Sequence, residues 1–274
     1  MVLRMALVTV GRENSAAIEL FYEDRGSGAP VLLVHGYPLP SDAWERQATA
    51  LIEEGHRVIT FDRRGHGKSS RPSGGYDWDT LARDVNVLMT TLDLEQAVMA
   101  GHSHGTGDVM RYLRLFGSRC ISRVALIAPL SPAPQFIGSV NGEAADDARF
   151  ADRFADLATL LDDYYNVDVS LGSRVSREVL RRSWDISAAA SPLLARSLST
   201  ALLEDFRPDI ENIDVPVLLL FAADDRIIPP LEVSRRAFDR LALCKSVTIA
   251  GAPHGLLWTH AAEVNAALLE FIDG

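Results

Sequence analysis

The sequence predicts an α/β fold, in which a mostly parallel, doubly wound sheet carries helices on both faces. Short and almost fully apolar runs alternate along the chain with stretches whose apolar residues recur at helical spacing. In these runs polar residues do not alternate with apolar ones, which is typical of strands that are buried on both faces of a parallel sheet. With 274 residues, of which 47% are hydrophobic, the chain is long enough to bury a large core.

The predicted elements follow one another regularly through the first half of the chain. Residues 5–10 and 17–24 are expected to form an opening hairpin, and the next predicted strands are 31–34, 57–61, 97–100 and 124–128. A helix follows the first of these strands, with Ser41 as its candidate N-cap and Gly55 at its end. Two more helices are predicted from apolar residues at helical spacing within 81–92 and 109–116.

The alternation of strands and helices stops between residues 129 and 208. Helical patterns occur there around residues 150–161, 179–184 and 193–203, and strands resume at 215–221 and 246–250. Open α/β sheets bind ligands at the carboxyl ends of their strands. We therefore predict that residues 129–208 form a helical cap over that edge, inserted before the last two strands of a core domain made of residues 1–128 and 209–274.

One short stretch carries a nucleophile motif. Gly101-His102-Ser103-His104-Gly105 lies between a predicted buried strand and a predicted helix. In a G-x-S-x-G nucleophile elbow the serine occupies a sharp, strained turn, where a β-carbon on either glycine would clash with the strand or the helix. The sequence therefore predicts the α/β-hydrolase fold with Ser103 as the nucleophile.

Two further side chains complete a predicted catalytic triad. Asp225 and His254 each follow a predicted strand, and the chain order of serine, aspartate and histidine is that of α/β-hydrolases. The histidine is expected to take the proton of the serine, while the carboxylate fixes the tautomer of the histidine. Asp224 competes with Asp225 for the role of the acid.

The oxyanion that develops during acyl transfer needs backbone donors. We predict the N–H groups of Tyr37, after an early strand end, and of His104, directly after the nucleophile. The His104 side chain either tunes the acyl preference or is simply packed and hydrogen-bonded. With His102 and Asp108 it also resembles part of the zinc signature of metal-dependent lactonases, but the downstream histidine is missing, so we expect neither a metal nor a cofactor.

Several motifs together resemble the cofactor-free bacterial haloperoxidase and perhydrolase family, whose members are α/β-hydrolase serine esterases. These motifs are HGYPL at 35–39, WERQ at 44–47, DRRG at 62–65, GTG at 105–107, YL at 112–113, DR at 225–226 and the long GAPHGLLWTH at 251–260. The resemblance implies Ser103 as nucleophile, Asp225 as acid, His254 as base, and Tyr37 and His104 as oxyanion donors. The chain departs from the family at His104, where methionine is usual.

These observations predict a serine hydrolase that cleaves small to medium carboxylic esters or lactones through an acyl-enzyme on Ser103. The main alternative is a perhydrolase that makes peracid from H2O2 and a carboxylic acid or ester; an amide or lactam hydrolase and a non-catalytic ligand receptor are further alternatives. Pro38 restricts Tyr37 and either turns its carbonyl toward bound peroxide or only shapes the turn. Tyr164 and Trp184 either line the acyl pocket or form the core of the cap.

Charge and composition limit the partners. The net charge of −10 argues against a nucleic-acid or anionic-membrane surface, so a small ester or lactone is the expected partner, and a homo-oligomer is left open. Cys120 and Cys244 form neither a disulfide framework nor a metal-binding pattern. Residues 1–14 lack the features of a signal peptide, and no apolar stretch approaches the ~20 residues of a membrane span, so we expect a cytoplasmic protein.

Overall fold

The structure is a computed structural model, and it describes residues 3–132, 156–167, 175–191, 194, 204–211, 213–228, 235–236 and 238–274. The described residues contain eight strands that join in one sheet. These strands are β1 (Leu3–Glu13), β2 (Ala16–Gly26), β3 (Pro30–Val34), β4 (Arg57–Phe61), β5 (Ala97–His102), β6 (Ile121–Ile127), β7 (Val217–Ala222) and β8 (Cys244–Ile249).

The sheet is mostly parallel, as predicted. Its strand order is β1-β2-β4-β3-β5-β6-β7-β8. The pairs β1/β2 and β2/β4 are antiparallel, and every other neighbouring pair is parallel. The chain moves outward from β3 to β4 and then crosses back to β5, so the order of the strands reverses between β3 and β5. Ligands of open α/β sheets bind at such a reversal, outside the carboxyl ends of the strands.

Helices cover both faces of this sheet. A 3-10 helix, Ser41–Trp44, leads into the first α-helix. The α-helices of the described residues are α1 (Glu45–Glu53), α2 (Trp78–Thr91), α3 (Gly105–Phe116), α4 (Leu157–Tyr165), α5 (Arg177–Ala188), α6 (Arg207–Ile210), α7 (Leu256–Thr259) and α8 (Ala261–Asp273).

Strand β3 shows why its sequence is apolar at every position. Leu32 and Val34 pack into the hydrophobic cluster that contains the apolar side of α2 and α3, whereas Val31 and Leu33 pack into the cluster that contains that of α1 and α8. All four side chains are completely buried. Successive side chains of a strand point to opposite faces, so a strand with helices on both sides has no position left for a polar residue.

The start of the first helix differs from the prediction at Ser41. The helix begins as a 3-10 turn whose N-cap is Pro40, and no side chain caps it. Ser41 instead uses its hydroxyl to donate to Asp62 Oδ1 at 2.6 Å. The prediction of Ser41 as a helix cap is therefore wrong, because its hydroxyl binds the carboxylate of Asp62, which follows β4. Gly55 follows the end of α1 with φ +91°, as predicted for a glycine at a helix end.

Part of the predicted cap is described. Helices α4 and α5 lie within residues 129–208, and the hydroxyl of Tyr165 lies 2.9 Å from Ser183 Oγ, which joins the two helices through a buried contact. The helical patterns predicted at 150–155 and 195–203 fall outside the described residues. The division into a core and a cap therefore stays a prediction. Among the helices that the structure describes, none is long and apolar enough to cross a membrane.

Candidate active site

Ser103 lies on a sharp turn between β5 and α3. Its φ is +52°, in the left-handed region that residues with a side chain rarely adopt. A β-carbon on Gly101 would lie 2.8 Å from the Gly105 carbonyl oxygen, and one on Gly105 would lie 2.3 Å from the carbonyl oxygen of Val34. Both distances are too short for non-bonded atoms, so this turn requires glycine on each side of the serine. These are the clashes that the elbow motif predicts.

The structure brings Ser103, His254 and Asp225 into one chain of hydrogen bonds. His254 Nε2 lies 2.7 Å from Ser103 Oγ, and His254 Nδ1 lies 2.7 Å from Asp225 Oδ2. A carboxylate only accepts, so Nδ1 carries the proton and Nε2 is free to accept the proton of the hydroxyl. The imidazole is completely buried, and the serine is 5% exposed. This arrangement can activate a serine hydroxyl as a nucleophile.

Of the two adjacent candidates for the acid, Asp225 and not Asp224 contacts His254. Asp225 Oδ1 accepts hydrogen bonds from the backbone N–H groups of Ile227 and Ile228 at 2.8 and 2.9 Å, which leaves Oδ2 directed at His254. Asp224 is exposed, and its backbone N–H donates to the Ala252 carbonyl. The turn after β7 therefore distinguishes the two adjacent carboxylates.

The segment after β3 lies directly against the elbow. A β-carbon on Gly36 would lie 2.8 Å from both the His102 carbonyl oxygen and Ser103 Cβ, and 3.3 Å from the backbone nitrogen of His104. This close approach brings the peptide that precedes Tyr37 to the elbow. The peptide bond between Tyr37 and Pro38 is cis, and Pro38 is buried.

The side chain of His104 is packed and hydrogen-bonded. It is 3% exposed and stacks on Trp78, with ring centroids 4.2 Å apart. Its Nδ1 lies 2.8 Å from Arg63 Nη2. A guanidinium only donates, so Nδ1 accepts, and the proton of the neutral ring sits on Nε2. Burial, with Arg63 nearby, lowers the pKa of His104 well below its ordinary value. The structure favours the packed alternative over a freely titrating ring.

The other two residues of the zinc-like pattern are committed to different partners. The Asp108 carboxylate accepts from Arg63 Nε and Nη2 at 2.6 and 2.8 Å. The His102 ring lies 3.0 Å, at Nε2, from the carbonyl oxygen of His254. Across the residues described, no group of three or more His, Cys, Asp or Glu side chains is placed to hold a metal ion.

Of the predicted pocket residues, Tyr164 contacts His254. Its ring packs edge-on against the ring of His254 at 5.3 Å, and its side chain is 2% exposed. Burial raises the pKa of Tyr164 well above its ordinary value. Trp184 lies on α5 with 48% of its surface exposed, and no described contact joins it to the hydrogen-bonded chain. Contact of Tyr164, Trp184 or Pro38 with substrate stays a prediction.

Residues at the end of α4 hold the loops that carry Asp225 and His254, which could not be predicted from the sequence. The carbonyl of Tyr164 accepts from the Gly255 N–H at 2.7 Å, and the side chain of Asn166 donates to the Asp224 carbonyl at 2.8 Å. Asn166 has φ +49°, so it ends the helix in the left-handed conformation that asparagine tolerates. An asparagine after a helical pattern is a recognisable helix end, but nothing in the sequence indicates what its amide binds.

A family model described as the alpha/beta hydrolase fold matches residues 29–261. The chain belongs to the α/β-hydrolase family. Its order of strands, its serine elbow and the loops after β7 and β8 are thus those of a known family of hydrolases, which confirms the predicted fold.

Relatives place this α/β-hydrolase in a narrower group. A Synechocystis sp. protein, provisionally named a non-heme chloroperoxidase, is 43% identical over 98% of this chain and 100% of its own. A bifunctional esterase/perhydrolase of Acinetobacter calcoaceticus is 31% identical over 93% of this chain and 96% of its own. The bromoperoxidase structure from Bacillus anthracis has a TM-score of 0.90 at 36% identity, and covers 99% of this chain and 100% of its own. The predicted resemblance to haloperoxidases and perhydrolases is confirmed.

Proposed function

We propose that this α/β-hydrolase cleaves small to medium carboxylic esters or lactones through an acyl-enzyme on Ser103. The observation that carries the proposal is the unbroken chain from Ser103 Oγ through both nitrogens of His254 to Asp225 Oδ2, with 2.7 Å at each step. These are the contacts that a serine nucleophile needs with its base, and the base with its acid. The membership of the chain in a group that includes a named esterase agrees with this assignment.

The proposed reaction has two halves. Ser103 Oγ attacks the acyl carbon while His254 Nε2 takes the hydroxyl proton, and Asp225 stabilises the imidazolium. The N–H groups of Tyr37 and His104 donate to the oxyanion. The intermediate collapses with breakage of the ester bond, and the leaving oxygen takes the proton from His254. Water then attacks the acyl-enzyme with His254 as base, which releases the carboxylic acid and restores the hydroxyl of the serine.

The variant Ser103→Ala tests this proposal. A panel of short aryl esters, lactones and amides is assayed with the native chain and the variant, and circular dichroism checks that the variant folds. We expect native turnover to be greatest on an ester or a lactone, and the variant to lose about 10⁶-fold in kcat, because a triad without its nucleophile keeps only a small residual rate enhancement. A folded variant that keeps near-native turnover would contradict the mechanism.

A second candidate function is peracid formation, which the named perhydrolase activity of the Acinetobacter relative favours. In this reaction H2O2 attacks the acyl-enzyme in place of water, so the products are a peracid and the free serine. Water is present at about 55 M, so the site must favour peroxide by its geometry. Peracid is measured from acetate or an acetyl ester with H2O2, and Ser103→Ala is the control. Peracid that the native chain forms and Ser103→Ala does not would support this function. If the native chain hydrolyses esters and forms no peracid, the enzyme is a hydrolase only.

A further inference from the structure

Arg63 lies at the carboxyl end of β4, in the loop that passes beneath the elbow, and only 2% of its surface is exposed. Its backbone N–H donates to His35 Nε2 at 2.8 Å. A backbone nitrogen cannot accept, so this bond fixes the His35 tautomer with the proton on Nδ1. Nδ1 lies 2.7 Å from the carbonyl oxygen of Gly36, to which it therefore donates.

The carbonyl of Gly36 and the N–H of Tyr37 belong to the same planar peptide unit. In a trans peptide the two groups point in opposite directions, so a hydrogen bond that holds the carbonyl also sets the direction of the N–H. Arg63, acting through His35, thus orients the first of the two predicted oxyanion donors. The Gly36 backbone has little freedom to shift, because a β-carbon there would lie 2.8 Å from both Ser103 Cβ and the His102 carbonyl oxygen.

The guanidinium of the same residue holds the second donor. Its Nε and Nη2 bind the Asp108 carboxylate in the first turn of α3, and Nη2 also donates to His104 Nδ1 at 2.8 Å. Trp78 stacks on the His104 ring, so the ring is restrained by a ring contact and by a hydrogen bond. A ring fixed in this way restricts the backbone of His104, whose N–H is the second predicted donor.

We propose that Arg63 is a positioning residue for the oxyanion hole, and that its side chain holds the peptide unit of the second predicted donor. The bond to His35 comes from the backbone N–H, which any residue except proline would supply at this position. This inference rests on the proposed function. The proposal also accounts for His104 after the nucleophile. Its ring supplies a hydrogen-bond acceptor for the Arg63 guanidinium, which the methionine usual at this position does not. Preorganised donors contribute to catalysis because they need no reorientation when the oxyanion forms.

The charges around His104 support this role. Arg63, His66 and His35 are the titratable groups that influence its ring, and Asp108 binds the guanidinium that contacts it. Burial and the guanidinium lower the pKa of His104, which keeps the ring neutral and able to accept. Because the Asp108 carboxylate balances the charge of the Arg63 guanidinium, this hydrogen-bond donor lies beside the elbow without adding a net positive charge.

The test removes the buried pair as a unit. Arg63→Met alone would leave the Asp108 carboxylate buried without a partner, so it is combined with Asp108→Leu; a buried ion pair replaced by apolar side chains often leaves stability unchanged. We expect kcat for a short aryl ester to fall at least about 10-fold with KM within about twofold, since the lost orientation matters only when the oxyanion forms. Unchanged kcat in a folded double variant would overturn the proposal.

The neighbouring loop residue provides a matched control. Arg64 forms an equally buried pair with Asp84, with both contacts at 2.6 Å, and neither residue contacts His35 or His104 in the described structure. Arg64→Met combined with Asp84→Leu should therefore leave kcat within about twofold of native, whatever it does to the melting temperature. Equal loss of kcat in both double variants would show that the effect is one of general stability, and would contradict a specific role for Arg63.

A third set of measurements distinguishes failure of this inference from failure of the proposed function. His104→Phe keeps an aromatic ring against Trp78 and removes the acceptor. Combined with Arg63→Met and Asp108→Leu, it should therefore lower kcat by less than the product of the two separate losses. Additive losses would contradict the route through His104. Nitrogen NMR of the native chain should show His104 as the Nε2–H tautomer, and the Nδ1–H tautomer would contradict the inference without reference to activity. Activity retained by Ser103→Ala would instead overturn the proposed function.

Discussion

At the scale of single residues, the turn after β7 gives two adjacent aspartates different environments. Asp225 has one carboxylate oxygen held by two backbone N–H groups and the other on His254, and its side chain is 8% exposed. Asp224 is exposed and contributes only its backbone to the described contacts of this region. The difference between the two lies in geometry and not in residue type.

This difference predicts the outcome of two parallel substitutions. Asp225→Asn should lower kcat about 10⁴-fold, because an amide at this position favours the wrong tautomer of His254. Asp224→Asn should change kcat less than about threefold, since its side chain has no part in the hydrogen-bonded chain. Steady-state kinetics on one aryl ester measures both, and losses of equal size would leave the acid unassigned.

The residues of the hydrogen-bonded chain could be predicted because each follows an apolar run, and the carboxyl ends of parallel strands meet at one edge. The partners of Arg63 could not be predicted in the same way. Its side chain reaches residues 41 and 45 positions further along the chain. Such pairings depend on how the strands and helices pack. The hydropathy pattern of the sequence does not predict which buried cation pairs with which buried carboxylate.

At the scale of elements, the C-terminal end of α4 joins the two loops that carry Asp225 and His254. Tyr164 accepts from the residue after His254, and Asn166 donates to the residue before Asp225. A β-carbon on Gly255 would lie 2.6 Å from the Tyr164 ring, so the helix and the loop pack without a gap. The predicted cap thus contacts the two loops that hold His254 and Asp225.

Asn166→Gly tests this contact. Glycine keeps the left-handed helix end and removes only the amide, so we expect α4 to remain folded and kcat to fall about 3- to 10-fold as Asp225 and His254 lose their fixed spacing. Thr159→Ala is the control, because Thr159 hydrogen-bonds Asp156 at the opposite end of α4. A fall in kcat in the control and not in Asn166→Gly would contradict the role of the amide.

The lengths of the strands show what hydropathy can and cannot predict. The opening hairpin was predicted as 5–10 and 17–24, but its strands are Leu3–Glu13 and Ala16–Gly26. The added residues are mostly polar or exposed, and backbone pairing across the hairpin extends the strands past the last apolar position. For the buried central strand β3 the predicted and observed lengths nearly agree, because its apolar run covers almost all of the paired residues.

At the scale of the whole molecule, four histidines are buried around the site. His35, His66, His102 and His104 are at most 3% exposed. Burial lowers the pKa of each, to about 3 for His35 and well below the ordinary value for the other three. The folded chain therefore holds these rings neutral in conditions where the unfolded chain charges them.

These depressed pKa values predict acid sensitivity. Below about pH 6.5 the unfolded state binds protons that these rings do not bind in the folded state, so they lower the free energy of unfolding as pH falls. Burial raises the pKa of Asp108 to about 6, which opposes this trend at one group against four. Urea unfolding at pH 7.5, 6 and 5 measures this trend. His66→Gln should make the slope shallower, because it removes one of the four rings. Stability that stays level or rises toward pH 5 would contradict the prediction.

The order of the strands also affects how an unfinished chain behaves during synthesis. Ser103 and His254 are 151 residues apart, and β6 and β7 lie between their strands in the sheet. A nascent chain translated as far as β6 contains the sequence of the serine elbow and lacks both His254 and Asp225. Under the proposed mechanism, acyl transfer therefore begins only after the loop that follows β8 has left the ribosome and docked against the elbow.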